Sequence, residues 1–417
     1  MIVSIRFIVW LTMAYICLAR VLKARRVILQ TEVGVVSVKG ADCRRFLQGL
    51  GTNDFDEAQS GTTFLSAFCN AKGVCLDYAR VLCTDNGFRF ICQSSSRART
   101  LSVYFEKFLF PLDKVIVKDE SSTATLYQII GEERESSSIG SSDKVVLTKT
   151  HDGKVYGFSE GYFSLPAKSL LVLGEGGMDS MAGIIDVRES DCHMQGKRAK
   201  EVSEQLRRLV GRPSVDEDIE PHNATALEAG LMHALHFRKG CFVGNEIVSK
   251  QVQTKAVRKH LVGLQCGCDV AKGAFLVEPG SGEVAGLVSS GSVPVSEELA
   301  SLLSEQTRHR WGRKSPALAY VKTKLAHKGT RLRVAGVDTE EVVVEPLPFP
   351  RFAVSASPAP PVEKVKTRGK ELRLDLEGNN AGGNTPEEME AKRKAAKLEA
   401  MAARVAAMKE KREKGNP

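Results

Sequence analysis

The stretch from Thr63 to Cys92 constrains the fold more than any other. Thr63 to Phe68 and Val74 to Leu82 are apolar runs joined by Asn70-Ala71-Lys72-Gly73, and Asp85-Asn86-Gly87 joins the second run to Phe88 through Cys92. Asn-Gly between apolar strands closes a tight hairpin, because both residues tolerate the positive φ such a turn demands. Strands linked this closely are antiparallel, since a parallel neighbour needs a crossover of a dozen residues or more. Val33 to Val38 is a β-branched run that predicts a further strand. The helix after it has Asp42 to cap its first turn, a stripe of Phe46, Leu47 and Leu50, and Gly49 and Gly51 to end it. Thr52-Asn53-Asp54 then supplies a turn. Ser94 to Ser96 start a second helix with Leu101, Tyr104, Phe105, Phe108 and Leu109 on one face, closed by Pro111. Val115 to Val117 and Thr125 to Ile130 are strands again. Strands with helices packed on them and no glycine-rich phosphate loop predict an α+β fold and exclude a nucleotide-binding Rossmann unit.

Downstream, Glu132 to Lys144 is Ser- and Gly-rich and predicts an exposed loop, with strands at Tyr156 to Leu165 and Ser169 to Leu173. Asp191-Cys192-His193 is structural, because adjacent side chains diverge and rarely meet at one atom. Lys200 to Val210 forms a basic amphipathic helix. Six short runs from His260 to Glu345, separated by Gly-containing turns, predict a small antiparallel barrel. Ser296 to Lys314 interrupts that series, ending in the basic cluster Arg308 to Lys314 around Trp311. With no RNA-binding motif and no second aromatic platform, the cluster is a solvated loop, and no nucleic acid is expected as a partner.

The ends differ in character from the middle. Met1 to Gln30 has no acidic residue, carries Arg6, Arg20, Lys23, Arg25 and Arg26, and holds an apolar core from Phe7 to Ala19. That core is short of the ~20 residues of a membrane span, so no stable span is expected, and most of the charge follows it rather than preceding it as in a secretory signal. The segment reads as an organelle address or a signal anchor. Pro346 to Pro361 holds six prolines and predicts a stiff extended linker. Thr385-Pro386-Glu387-Glu388 starts a charged helical tail. The net charge of +9 is uneven enough that it names no partner, and the ten cysteines include no Cys-x-x-Cys. Cys266-Gly267-Cys268 lacks a second pair and is a weak metal signal.

One stretch carries chemistry: Phe237-Arg238-Lys239-Gly240-Cys241-Phe242-Val243-Gly244-Asn245-Glu246. Gly240 and Gly244 permit backbone angles barred to other residues and leave room for a ligand. A cation two residues from a thiol favours the thiolate, the form that attacks electrophiles or binds metal. The alternative is an inert buried cysteine. The stretch resembles the Lys-Gly-Cys-(Phe/Tyr)-x-Gly-Gln-Glu signature of the YgfZ-type folate-binding proteins, whose mitochondrial members include the Iba-type iron–sulfur cluster assembly factors. Lys239, Gly240, Cys241, Phe242, Gly244 and Glu246 match, and Asn245 replaces the Gln with a shorter amide. Gly40-Ala41-Asp42, Phe46-Leu47-Gln48 and Thr52-Asn53-Asp54 are similar to the N-terminal pattern of the same proteins and of their aminomethyltransferase relatives. Leu227-Glu228-Ala229-Gly230 resembles the aminomethyltransferase segment whose glutamate holds the pterin ring, although Glu228 on a short solvated helix is the plain alternative.

The resemblance implies an aminomethyltransferase-like (GcvT/YgfZ) folate-binding domain of antiparallel sheets and helices, followed by the small barrel. The expected divisions are a targeting segment (1–30), a two-part folate-binding domain (31–255), the barrel (256–345) with an insertion at 292–315, a linker (346–384) and the tail (385–417). It further implies a scaffold in the mitochondrial matrix that works with A-type carriers to mature four-iron four-sulfur client enzymes. In that role Cys241 would contact a transient iron–sulfur cluster or a partner thiol, and Lys239 would depress its pKa. Tetrahydrofolate would be held by Glu228, Lys239, Gly240, Gly244, Asn245, Glu246 and Asp77. The rival reading is a folate-dependent aminomethyltransferase of the glycine cleavage type, for which Asp77 is the nearest carboxylate. No second cysteine stands as an obvious ligand beside Cys241, so a bridged cluster takes its other ligands from the partner.

Overall fold

The computed structural model describes residues 26–131, 145–150, 153–159, 167–174, 191–302, 315–337 and 341–347. The expected loop at 132–144, the cluster at 308–314, the tail, and nearly all of the targeting segment and linker lie outside them.

The hairpins fold as their turns dictate. β2 (Gly34–Lys39), β3 (Thr63–Cys69), β4 (Cys75–Thr84), β5 (Gly87–Cys92) and β6 (Ile116–Asp119) form an antiparallel sheet in the order β3-β4-β5-β2-β6. Gly87 takes φ 131° at the Asn-Gly turn. Two helices cover one face, α1 (Cys43–Gln48) and α2 (Ser95–Glu106). Ser94 caps α2 by accepting from the Arg97 amide, as its residue type predicts. Asp42 does not cap α1. Its carboxylate accepts from the Lys114 amide instead, tying the helix start to the approach to β6. Between the layers Phe68 and Phe105 meet edge to face with centroids 5.1 Å apart, an arrangement worth about 0.5–1.5 kcal/mol beyond the area it buries.

The second sheet runs β11-β1-β7-β10-β9-β8. Its strands are β1 (Arg26–Glu32), β7 (Ala124–Gly131), β8 (Val146–Thr150), β9 (Gly153–Ser159), β10 (Ala167–Gly174) and β11 (Cys192–Met194). β1 begins at Arg26, inside the stretch assigned to targeting, and Val27, Ile28 and Leu29 are fully buried core. Its start is fixed by the Arg26 guanidinium on the Asp191 carboxylate, 2.5 Å away. Asp191-Cys192-His193 therefore serves structure, as expected, with Cys192 and His193 in parallel register with Val27 and Ile28. α3 (Gly196–Leu209) packs on β1 and starts four residues earlier than its pattern predicts.

β12 (Lys259–Cys266), β13 (Phe275–Val277), β14 (Val284–Ser290), β15 (Ala317–Lys322), β16 (Arg331–Val334) and β17 (Glu341–Pro346) close the predicted barrel, in the order β12-β15-β14-β13-β16-β17. α5 (Glu297–Leu302) interrupts the barrel sequence between β14 and β15. A π-helical turn, Val215–Ile219, joins barrel to sheets through Asp218. This fully buried carboxylate accepts from Arg207 (2.8 Å), the Ser214 amide (2.7 Å), Ser289 (2.5 Å) and Ser290 (2.8 Å). A charge buried this deeply is tolerable only when it is so fully paired.

Candidate functional site

The loop from His236 to Gly244 carries Cys241 and leads into α4 (Asn245–Thr254). Among the described cysteines Cys241 is the exposed one; Cys192, Cys266 and Cys268 are half-buried and the rest are buried. The loop is tied down by main-chain bonds rather than by a core of its own. The His236 amide donates to the Thr52 carbonyl and the Val243 amide to Gly49.

Lys239 makes the strongest tie. Its ammonium donates to the carbonyls of Gln48 (2.8 Å), Gly51 (2.5 Å) and Asn53 (2.7 Å). Carbonyls at and just beyond a helix C-terminus lack intrahelical partners and carry the negative end of the helix dipole, so a cation belongs there. The rings of Phe55 and Phe242 flank it, 5.8 and 5.4 Å from the nitrogen. Burial lowers its pKa to about 8, opposed by the carboxylates of Asp54 and Asp56. The ammonium is thus committed to the main chain, which corrects the expectation that it serves to activate Cys241.

The glycines also act differently from expectation. A Cβ on Gly240 would meet nothing within 4 Å, so that position needs no glycine for packing. Gly244 has φ 85°, and a Cβ there would stand 2.5 Å from the Asn70 carbonyl oxygen and 3.1 Å from the Cβ of Cys69. It lets the loop lie on the 70–73 turn rather than admit a ligand. Asn245 accepts from the Ser249 hydroxyl within α4, and Glu246 is exposed in the first turn of that helix. Among the described residues no group of three or more His, Cys, Asp or Glu could hold a metal ion.

Glu228 is occupied locally. Its carboxylate accepts from the Thr225 amide (3.1 Å) while the Thr225 hydroxyl accepts from the Glu228 amide (3.2 Å), a reciprocal cap. It is also buried, unlike the solvated alternative. Asp77, on β4, is 1% exposed. One carboxylate oxygen accepts from the Tyr78 amide (2.7 Å), and the other is buried with no hydrogen-bond partner. Burial raises its pKa to about 7, against the Arg97 guanidinium, which lowers it.

The cleft fit for an organic cofactor lies elsewhere. A cavity of about 430 Å³ opens between the two sheets and α3. Tyr78 and Arg80 line it from β4, Gln93 from the end of β5, Gln128 from β7, Phe158 from β9, and Arg212 from the turn after α3. Gln93 is locked by donating to the Tyr78 hydroxyl (2.8 Å) and the Pro213 carbonyl (2.9 Å). Burial pushes the Tyr78 phenol above its ordinary range. The Arg212 Nε is buried without a hydrogen-bond partner. None of Asp77, Glu228, Lys239, Gly240, Gly244, Asn245 and Glu246 lines this cleft. Neighbouring side chains alternate across a strand, so with Tyr78 and Arg80 in the cleft Asp77 is turned from it, toward Arg97 on α2. Strand alternation counted from Asp77 is the sequence signal that would have found Tyr78.

No family profile matches the chain. It is 23% identical over 327 residues to a putative chloroplastic transferase of Arabidopsis thaliana, covering 76% of this chain and 69% of that protein. An aminomethyltransferase of Rubrobacter xylanophilus is 25% identical over 283 residues, 63% of this chain and 71% of that one. A mitochondrial iron-sulfur cluster assembly factor IBA57 homolog of Cryptococcus neoformans is 26% identical over 259 residues, 57% of this chain and 66% of that one. Among solved structures, the glycine cleavage system aminomethyltransferase T of Bartonella henselae superposes with a TM-score of 0.63 at 17% identity, covering 80% of this chain and 89% of its own. The fold is therefore that of aminomethyltransferase T, and in this chain it includes the closed six-stranded C-terminal barrel.

Proposed function

We propose that this protein is a folate-binding iron–sulfur cluster assembly factor of the mitochondrial matrix, working with A-type carriers to mature four-iron four-sulfur enzymes. The observation that carries the reading is the Cys241 thiol, exposed on a loop that Lys239 and Gly244 anchor to the body of the protein. A thiol presented on a fixed support can ligate a cluster shared with a partner without the loop being reordered at each encounter, which lowers the entropic cost of docking. Likeness to the assembly factor homolog supports this direction.

Tetrahydrofolate fits the cleft rather than the loop. Ile91 and Leu126 offer apolar surface to a flat ring, Gln128 offers an amide, and the Arg212 Nε is a buried donor awaiting an acceptor. Bound there, the cofactor would bring a reduced pterin able to carry a one-carbon unit.

The aminomethyltransferase alternative has one observation in its favour, the buried Asp77 carboxylate with a free oxygen and a pKa near neutrality. Its turn away from the cleft counts against it. The carboxylates that do line the cleft are Glu204, which pairs with Arg207, and Glu32, whose side chain is largely exposed.

Complementation of cells lacking their assembly factor tests the reading. The wild-type chain should restore aconitase activity and protein lipoylation, and Cys241→Ala should not. Failure of the wild type, together with glycine cleavage activity that Asp77→Ala abolishes, would transfer the assignment to the enzyme.

A further inference from the structure

Beneath the anchored loop lies a second pair of thiols for which the proposed function has no use. Cys69 ends β3 and Cys75 begins β4, and the two are direct partners across the ladder, at the point where its register shifts. Both are free, with exposures of 0% and 1%. The turn between them is rigid: the Asn70 side chain accepts from the amides of Lys72 (2.9 Å) and Val74 (3.1 Å), and the Asn70 amide donates to the Val74 carbonyl (3.0 Å). The pair thus meets the first requirement of a cross-link, two cysteines on facing positions of a fixed hairpin.

We propose that Cys69 and Cys75 form a disulfide under sustained oxidation, and that this bond is a modification site governing the support of the Cys241 loop. In the step each thiol gives up its proton, one S–S bond forms, and a low-molecular-weight disulfide such as oxidised glutathione takes up the two electrons and two protons and leaves as two thiols. The first exchange makes a mixed disulfide on one cysteine, and the second thiol displaces the glutathione.

The kinetics follow from the surroundings. Interaction with the Cys69 thiol, and then burial, push Cys75 well above the ordinary thiol range, so little thiolate is present at neutral pH. Exposed Cys241 reacts first and the buried pair much later. A brief oxidant pulse therefore leaves the pair reduced, while a persistent one closes it.

The consequence for the site follows from contact. A Cβ placed on Gly244 would stand 3.1 Å from the Cβ of Cys69 and the same distance from the Cα of Gly73, and a Cβ on Gly73 would meet Ile247 of α4 at 2.7 Å. The hairpin turn and the loop are in van der Waals register with nothing between them. Drawing Cys69 toward Cys75 moves the surface on which Gly244 rests, and with it the presentation of Cys241.

Trypsin separates the pair, because Lys72 lies between the two cysteines. Cleavage after Arg45, Lys72 and Arg80 gives the peptides 46–72 and 73–80, with one cysteine each. The folded full-length protein is held with oxidised glutathione until Cys241 is fully modified and then for several hours more, alkylated, digested and read by mass spectrometry. The expected result is 46–72 linked to 73–80, absent in Cys69→Ser, and a several-fold change in the rate at which Cys241, freed by mild reduction, is realkylated. Recovery of Cys69 and Cys75 as alkylated or glutathionylated single peptides from the wild type would overturn the proposal. Because the decisive reading is made on the wild type, a variant that fails to fold does not remove the test.

Discussion

The ammonium of Lys239 lies 2.8 Å from the carbonyl oxygen of Gln48, the residue that closes α1, across 191 positions of sequence. With Gly51 and Asn53 it completes a tripod of carbonyls around one nitrogen. Lys239→Met leaves three acceptors unpaired and should cost about 2–4 kcal/mol in urea unfolding. Lys239→Arg should not restore it, since a planar fork cannot converge on three carbonyls as an ammonium does. Equal midpoints for wild type and Lys239→Met would refute the anchor.

Gly244 and Gly240 lie four residues apart and should respond oppositely. Gly244→Ala puts a Cβ 2.5 Å from the Asn70 oxygen at a φ of 85°, and a loss of about 1–3 kcal/mol is expected, with faster tryptic cutting after Arg238. Gly240→Ala meets open space and should stay within about 0.5 kcal/mol of wild type.

Asp77 predicts a pH signature. Its pKa is raised by burial from 3.8 to about 7, so between those values the unfolded chain is ionised while the folded one keeps its proton. Stability therefore falls as pH climbs through that window, and the penalty is complete above it. Asp77→Asn carries no such charge. Its advantage over wild type should grow from about pH 4 to about pH 7, on the order of 2–4 kcal/mol, and then level off. A difference that is flat across the window would place the carboxylate in contact with solvent.

Asp218 and Arg207 join barrel, turn and α3, and each depends on the other. Arg207→Met leaves the fully buried Asp218 carboxylate without its guanidinium and should cost about 3–5 kcal/mol. Replacing both by apolar residues of similar size should recover a substantial part, read as a coupling energy in a double-mutant cycle.

The cleft, rather than the loop, should govern tetrahydrofolate binding. Arg212→Gln is expected to weaken it at least tenfold by calorimetry, roughly the worth of one charge-assisted hydrogen bond. Glu228→Gln, in a residue engaged by Thr225, should change affinity little. The reverse ranking would return the pterin to Glu228.

Local signals in the sequence were faithful where the partner is near. The turns at Asn70 to Gly73 and Asn86-Gly87, the Ser94 cap and the strands of the barrel all follow from residues within a few positions of one another. Thr225-Ala226-Leu227-Glu228 even carries the spacing of a reciprocal cap, which explains Glu228 without any ligand. What proved illegible depends on distant partners. Lys239 sits two residues from Cys241 in sequence, yet its acceptors come from residues 48 to 53. β1 was hidden because Arg26 reads as one more cation of a basic leader until Asp191, 165 residues later, is seen to neutralise it. The cleft is assembled from three strands of each sheet together with α3, and no short motif marks it.

The position of β1 has a consequence for biosynthesis. It is the first described strand to leave the ribosome, yet it lies inside its sheet, and its two neighbours are β7 and β11. At a synthesis rate of roughly 5–20 residues per second, β7 arrives about five to twenty seconds after β1, and β11 later still. Throughout that interval a greasy ribbon with both edges unpaired is exposed to whatever else the cell contains. The nascent chain thus needs a chaperone's protection at β1 for longer than at β7.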